Sequence, residues 1–244
     1  MMTPSRFFVL GCAFVAISGC AAMESPTSAE RTKDNAGGDA KAPLFPSALF
    51  SGQAEQFDAW HCRPANQDLI TAVDGDVLRL WSLHGAWRLP QAVVASGARY
   101  QDGEISFWNR GEQALVETPR GQLKCDLAAR REASTRRDHP GVMFRGQGNE
   151  PGWTVELAHD APKLTLSTDY GENVETLPYM VSVMDNDAGR VVLENANADD
   201  FFRVRIEAGA CFDGMSGHPF PARVTLTMDG EQYSGCGQGI APSA

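Results

Sequence analysis

The chain has 244 residues, with 21 Lys and Arg against 31 Asp and Glu, and a formal net charge of −10. A chain this acidic is predicted to have no nucleic-acid partner, because binding to a phosphate backbone depends on clustered Lys and Arg. The length exceeds what one small β-domain needs, so two modest domains are expected.

The first residues have the pattern of an export signal. An apolar run, residues 7–17, follows a single basic residue, Arg6. This run of eleven residues is too short to cross a hydrocarbon core about 30 Å thick, which needs about 20 residues. We therefore expect a cleaved signal rather than a membrane anchor, and an exported product.

The end of this run resembles the lipobox of bacterial lipoproteins, with Ile-Ser-Gly-Cys-Ala at residues 17–21. The resemblance implies removal of residues 1–19 as a signal peptide and membrane attachment through lipid, including palmitate, on Cys20. Ala21 favours an outer-membrane address, with the protein facing the periplasm or the cell surface. An ordinary secretory signal cut after Ala22 is the alternative.

Composition sets the predicted domain boundaries. Residues 20–44 lack aromatic side chains and cannot bury a core, so we expect a disordered tether there. The Arg-rich stretch at 128–139 lacks an apolar period and is interpreted as an interdomain link. The predicted domains therefore span residues 45–130 and 131–244.

Both domains show the alternating pattern of β-strands, and the helical period is nowhere sustained. In the first domain, the tight-turn dipeptides Asp74-Gly75 and Asp102-Gly103 each separate two β-type runs and predict hairpins. The second domain repeats the alternation in five short runs, at residues 153–157, 163–166, 190–193, 202–206 and 223–227. We predict an all-β protein with two small antiparallel β-barrel-like domains, since closure into a barrel removes exposed sheet edges.

Cysteine parity fits an oxidising compartment. Of six cysteines, Cys12 leaves with the signal and Cys20 takes lipid, which leaves an even number of four. Three pairings are possible, and the preferred one keeps each disulfide within one domain by joining Cys62 to Cys125 and Cys211 to Cys236. Zinc binding is the rival interpretation, but no Cys-x-x-Cys occurs, so neither a metal nor another cofactor is predicted.

Three features of the first domain carry a resemblance to a known family. They are Ser96-Gly97-x-x-Tyr100, the Phe-Trp-Asn-Arg-Gly segment at 107–111, and the framing pair Cys62 and Cys125. Over about residues 55–127 they resemble the membrane-bound inhibitor of C-type lysozyme family, MliC. The resemblance implies an eight-stranded antiparallel barrel, a Cys62–Cys125 disulfide, and a loop that plugs the active-site cleft of C-type lysozyme.

The same resemblance implies the binding residues. In that family a serine and a lysine reach the catalytic carboxylates of the enzyme; here they correspond to Ser96 and to Arg110, which stands where the family usually has lysine. Gly97 and Tyr100 complete the predicted inhibitor-binding set, although the strand spacing of Tyr100 and Trp108 favours bracing of the barrel. One strand leads away from the first motif and the next returns to Arg110, so both loops are expected at one barrel end. By themselves, the same residues would indicate only a chain reversal and a solvated charge.

Charge does not mark the docking surface. Without Arg6 the chain has 20 basic and 31 acidic residues and a net charge of −11. Residues 45–130 hold eight basic and ten acidic residues, whereas residues 131–244 hold nine and seventeen. Overall charge would attract a basic enzyme to the vicinity without locating the contact.

The second domain resembles an uncharacterised domain of bacterial envelope lipoproteins, through residues 144–153, 211–217 and 233–237. Asp213, Ser216 and His218 suggest a hydrolase, but the segment lacks the final glycine of a nucleophile elbow, so catalysis is not predicted. Asp213 is instead expected to accept hydrogen bonds from local backbone amides. Residues 149–152 are expected to form an exposed turn, with a pocket lining as the alternative.

These inferences converge on a non-enzymatic envelope lipoprotein that inhibits C-type lysozyme by occupying its cleft. The alternative is a ligand-binding or structural envelope lipoprotein that does not inhibit. An enzyme centred on the second domain is the third hypothesis.

Overall fold

The computed structural model of the protein describes residues 43–195 and 201–241. The predicted signal peptide, Cys20 and all but the last two residues of the predicted tether lie outside the described residues. Within those two ranges, no helix is long and apolar enough to cross a membrane.

The described chain forms two closed barrels of eight antiparallel strands each, and in each the first and last strands pair to close the ring. The first barrel consists of β1 (Gln56–Arg63), β2 (Gln67–Asp74), β3 (Val77–Ser82), β4 (Gly85–Ala92), β5 (Ala98–Asp102), β6 (Ile105–Asn109), β7 (Gln113–Thr118) and β8 (Gly121–Glu132). The second consists of β9 (Val142–Asn149), β10 (Gly152–Ala158), β11 (Lys163–Thr168), β12 (Asn173–Asp185), β13 (Arg190–Asn195), β14 (Phe202–Phe212), β15 (Pro219–Met228) and β16 (Glu231–Gly239). The all-β, two-barrel prediction is confirmed.

The connection between the barrels is shorter than the stretch interpreted as a link. Strand β8 continues to Glu132, where it still pairs with Gln56 of β1, and β9 begins at Val142. Residues 133–141 therefore connect the barrels, and the first five residues of the 128–139 stretch belong to β8. Exposed and half-buried residues alternate along this end of β8. Because its side chains are polar, a hydropathy pattern does not reveal the strand.

Aromatic packing and a disulfide stabilise the interior of the first barrel. Trp60 and Phe107 are fully buried and meet edge to face, with ring centroids 5.4 Å apart. The indole Nε1 of Trp60 donates a hydrogen bond to Thr71 Oγ1 at 2.8 Å, which satisfies a polar group that would be costly to bury unpaired. Cys62 and Cys125 form a buried disulfide that joins β1 to β8.

The second disulfide joins Cys211 of β14 to Cys236 of β16, across β15. Both disulfides of the preferred pairing are therefore present in the structure, one in each barrel.

The barrels pack against each other through the outer face of β1–β3. Phe57, Ile70, Ala72 and Trp81 are buried there and form one apolar cluster with Ala210 of the second barrel. We call these five residues the interbarrel core. Strands β2 and β3 are thus buried on both faces, which explains why their sequences are nearly continuous apolar runs.

Arg131 fastens the end of β8 to the second barrel. Its Nε donates to the Pro219 carbonyl oxygen at 2.7 Å, and its Nη2 donates to Gln238 Oε1 at 2.6 Å. Its guanidinium lies between the rings of Phe57 and Phe220, 4.8 and 3.9 Å from their centroids. Burial lowers the pKa of Arg131 to about 10, so the side chain remains charged at neutral pH.

The segment before β1 touches both barrels. In its short 3₁₀ turn, Ser47–Leu49, the Ala48 carbonyl accepts a hydrogen bond from Trp81 Nε1 at 2.7 Å, and the Ser47 carbonyl accepts one from Arg79 at 3.1 Å. Leu49 is fully buried in the core of the second barrel. The two barrels therefore belong to one compact unit.

Candidate functional site

Two connections of the first barrel carry the predicted site: the β4–β5 loop, residues 93–97, and the β6–β7 turn, residues 110–112. We call them the loop pair. The chain leaves along β5 and returns along β6, so both connections lie at the same barrel end, as expected. Ser96 and Arg110 are both exposed to solvent.

Gly97 allows the two loops to approach each other. Its φ is +71°, a backbone conformation that side chains disfavour. A Cβ at this position would lie 2.8 Å from the Asn109 carbonyl oxygen and 3.0 Å from Trp108 Nε1. Both the conformation and the close contact therefore require glycine.

Trp108 lies against both members of the loop pair. Its Nε1 donates a hydrogen bond to the Ser96 carbonyl oxygen at 3.2 Å, and the guanidinium carbon of Arg110 lies 3.8 Å from its ring centroid. The sequence interpretation gave this residue a bracing role only. The alternation of side chains along β6 could have revealed its outward position. Phe107 points into the core, so the adjacent Trp108 must point out.

Tyr100 does not join the exposed group. Only 6% of its surface is exposed, and it packs in the core of the first barrel, where it is paired with Phe107 across β5 and β6. Burial raises the pKa of Tyr100, and the nearby Asp76 adds to the rise. The alternation of β5 turns Tyr100 inward, so its assignment to the binding surface is corrected.

The two arginines beside Trp108 have different surroundings. Arg99 Nη2 donates to Glu117 Oε2 at 2.7 Å and to Ser106 Oγ at 3.2 Å, so its charge is balanced. Among the residues that the structure describes, Arg110 forms no ion pair. The loop pair thus presents an exposed cation that has no counter-ion within residues 43–195 and 201–241.

An apolar side chain flanks this cation. Val93, at the start of the β4–β5 loop, is fully exposed. Single exposed apolar residues are common on protein surfaces. Together with the Trp108–Arg110 stack, however, Val93 gives the loop pair the mixture of apolar, aromatic and Arg side chains that is typical of protein interfaces.

The second barrel leaves the loop pair accessible. The second barrel covers the outer face of β1–β3 at the interbarrel core. In a ring of eight strands, β6 is four positions from β2. The β3–β4 turn also meets the second barrel, since the Leu83 carbonyl oxygen accepts a hydrogen bond from Arg223 at 2.9 Å. The loop pair lies at the opposite end of β4 from that turn and is otherwise carried by β5–β7.

Comparison with known proteins gives a family match to the first barrel. Residues 60–124 match the family model described as membrane-bound lysozyme-inhibitor of c-type lysozyme, MliC. The first barrel is thus similar to the MliC family over these residues. The match lies within β1–β8 and does not extend into the second barrel, and no curated protein matches the chain. The resemblance predicted from the motifs of the first barrel is confirmed.

The hydrolase-like residues of the second barrel form a structural turn. Asp213 Oδ1 accepts hydrogen bonds from the backbone N–H of Met215 and Ser216 and from Ser216 Oγ, at 2.8–3.2 Å. Ser216 Oγ in turn accepts the backbone N–H of His218 rather than facing its imidazole. The turn role predicted for Asp213 is confirmed, and the hydrogen bonds of Ser216 Oγ join it to Asp213 and to the His218 backbone within this turn.

A cavity of about 700 Å³ lies beside this turn, lined in part by Asn149 and Glu150. Asn149 Nδ2 also donates to Asp213 Oδ2 at 2.8 Å, which ties the β9–β10 turn to the Asp213 turn. Within the described ranges, no group of three or more His, Cys, Asp or Glu side chains is arranged to hold a metal ion.

Asp213 is expected to make the stability of the second barrel depend on acid pH. Burial alone would raise its pKa, but hydrogen bonds from Ser216, Asn149 and Met215 outweigh burial and hold it at about 2. Because this pKa lies below the unfolded value of about 3.9, the carboxylate stabilises the fold above pH ~4. That contribution, about 2 kcal/mol, should be lost as the pH falls towards 2.

Denaturant unfolding between pH 7 and pH 2.5 measures this effect. Asp213→Asn should lower the unfolding free energy at pH 7 and flatten its fall below pH 4, whereas Asp160→Asn at an exposed turn should change neither. An Asp213→Asn protein with the parent's pH dependence would contradict the assignment.

Proposed function

We propose that this protein is an envelope lipoprotein that inhibits C-type lysozyme by seating the loop pair of its first barrel in the active-site cleft, and so protects peptidoglycan. One observation carries the proposal. Arg110 is an exposed cation with no counter-ion among the described residues, and it lies at the same end of the barrel as Ser96. The family description supports the same partner.

The chemistry of the enzyme fits these two side chains. Lysozyme is the type case of a glycosidase with two carboxyl groups flanking the scissile bond, one of them ionised. Arg110 offers a planar fork of N–H donors that can engage a carboxylate in two hydrogen bonds, a geometry that the family's usual lysine lacks. The Ser96 hydroxyl can donate to or accept from the second carboxyl group. The protein performs no reaction; it fills the site that the sugar needs.

The proposed location is the outer membrane, facing the periplasm or the cell surface, through lipid on Cys20. A membrane-bound family fits this location. Membrane fractionation tests it, since Cys20→Ala should move the protein into the soluble fraction.

The inhibition assay uses residues 21–244, C-type lysozyme and peptidoglycan. We expect inhibition that a chitin oligosaccharide bound in the cleft relieves competitively. Ser96→Ala should weaken inhibition about tenfold, because its hydrogen bond is lost and the carboxyl group of the enzyme is left unpaired in the cleft. Ser182→Ala removes an equally exposed hydroxyl from the second barrel and should have no effect.

Inhibition that the oligosaccharide does not relieve would place the contact outside the cleft. A complete lack of inhibition would favour the ligand-binding alternative, for which the cavity beside Asn149 is the specific observation.

A further inference from the structure

We infer that Trp108 is a positioning residue, whose indole holds Arg110 and the β4–β5 loop in one arrangement before any partner arrives. The inference rests on the proposed function for its inhibition measurement. It adds a residue to which the family motifs gave no binding role in this chain, and it accounts for the departure from lysine at position 110.

The stack with Trp108 orients Arg110. Its guanidinium carbon lies 3.8 Å from the centroid of the indole, whereas that of Arg99 lies 5.8 Å away and is held by Glu117. A planar cation attracted to a ring face keeps its N–H edge available. Arg110 has no ion pair among the described residues, so we assign the orientation of its guanidinium to the contact with the Trp108 ring.

The same ring restrains the other member of the loop pair. Strands β4 and β5 are joined through only two residue pairs, Gln91 with Tyr100 and Ala92 with Arg99, so the described ladder leaves the 93–97 loop unpaired. The hydrogen bond from Trp108 Nε1 to the Ser96 carbonyl links this loop to β6. The indole therefore couples a cation on one loop to a hydroxyl-bearing residue on the other.

Preorganisation of this kind raises affinity by removing the entropy cost of ordering side chains on binding. Lysine would bring the same charge to position 110, but its ammonium is a compact charge on a flexible stem and cannot stack by a planar face. Arginine therefore suits a site in which a half-buried indole supports the cation, and the benefit from Trp108 should depend on arginine.

A double-mutant cycle measures this dependence in the full protein, with the inhibition constant as readout. Trp108→Leu should weaken inhibition about tenfold in the parent, and about threefold in the Arg110→Ala background, where only the Ser96 link remains to be lost. Trp108→Phe keeps an aromatic face without the N–H donor, so it should weaken inhibition only about threefold. In the Arg110→Lys background, the effect of Trp108→Leu should lie between those two values.

A second measurement needs no lysozyme. Nitrogen-15 relaxation of the Arg110 side-chain Nε–H should report a restrained guanidinium in the parent and in Trp108→Phe, and a mobile one in Trp108→Leu. If the leucine variant fails to fold, the phenylalanine variant supplies both readouts, with Arg110 ordered and inhibition only about threefold weaker.

The outcomes separate the two proposals. If the parent protein does not inhibit lysozyme, the proposed function is refuted. If Arg110 nevertheless becomes mobile in Trp108→Leu, the positioning role is supported. An equally mobile Arg110 in parent and Trp108→Leu overturns the positioning role. So does an equal loss of inhibition from Trp108→Leu in the parent and in Arg110→Ala.

Discussion

Reversing the charge of Arg110 is expected to abolish inhibition of C-type lysozyme. In Arg110→Glu, a carboxylate would face the acidic groups of the enzyme's cleft in place of a guanidinium. Loss of a charge-assisted pair costs about 2–5 kcal/mol, and the like charge adds a further penalty, so we expect affinity to fall at least ~100-fold. The fold should remain intact, because Arg110 is exposed and has no ion pair among the described residues to lose.

Arg120→Glu is the matched control for this experiment. Arg120 is exposed on the turn between β7 and β8, at the other end of β7 from Arg110, so the same change in net charge occurs at the opposite end of the barrel. It should leave inhibition within about twofold of the parent, as expected for a charge remote from the contact. Equal losses in the two variants would indicate long-range attraction rather than docking, and an Arg110→Glu protein of parental potency would refute the proposed contact.

The first barrel by itself, residues 43–132, is expected not to fold as a stable monomer. Its separation would expose Phe57, Ile70 and Trp81, each at most 1% exposed in the whole protein. Burial of such side chains contributes about 1.5–3 kcal/mol each, so the loss of about 6 kcal/mol is comparable to the whole stability of a typical domain. Arg131 would also lose its acceptors on Pro219 and Gln238.

Size-exclusion chromatography and thermal unfolding test this dependence. Residues 43–132 should aggregate or bind a hydrophobic dye, whereas the same segment co-expressed with residues 133–244 should form a soluble complex. The uncut protein should unfold in one transition, because the barrels share the interbarrel core. A monomeric 43–132 fragment with the thermal midpoint of the whole protein would show that the barrels are independent.

Local signals were sufficient for the hairpins. The Asp74-Gly75 and Asp102-Gly103 turns join β2 to β3 and β5 to β6, as their dipeptides and flanking runs predict. The turn dipeptides and the alternation of the flanking strands are properties of neighbouring residues, so they can be recognised before the fold is known.

Strand β12 gave no comparable signal. Thirteen residues, Asn173–Asp185, form this strand, but Tyr179 is its only buried member. A strand that keeps most of its side chains in solvent or half-buried shows little apolar alternation, so sequence patterns do not distinguish it from a loop. The barrel order, in which β11 and β13 both pair with β12, was needed to define it.

The sequence by itself determined the all-β class, the main hairpins, a preferred disulfide pairing, and the family resemblance that pointed to Ser96 and Arg110. Tertiary structure decided that Tyr100 faces the core, that Trp108 supports the loop pair, and that the outer face of β1–β3 is covered by the second barrel. The physical reason is the sequence separation of the interacting residues, because turns and strand alternation depend on adjacent residues. The environment of a side chain depends on partners far along the chain, such as the Pro219 carbonyl that Arg131 reaches across 88 positions.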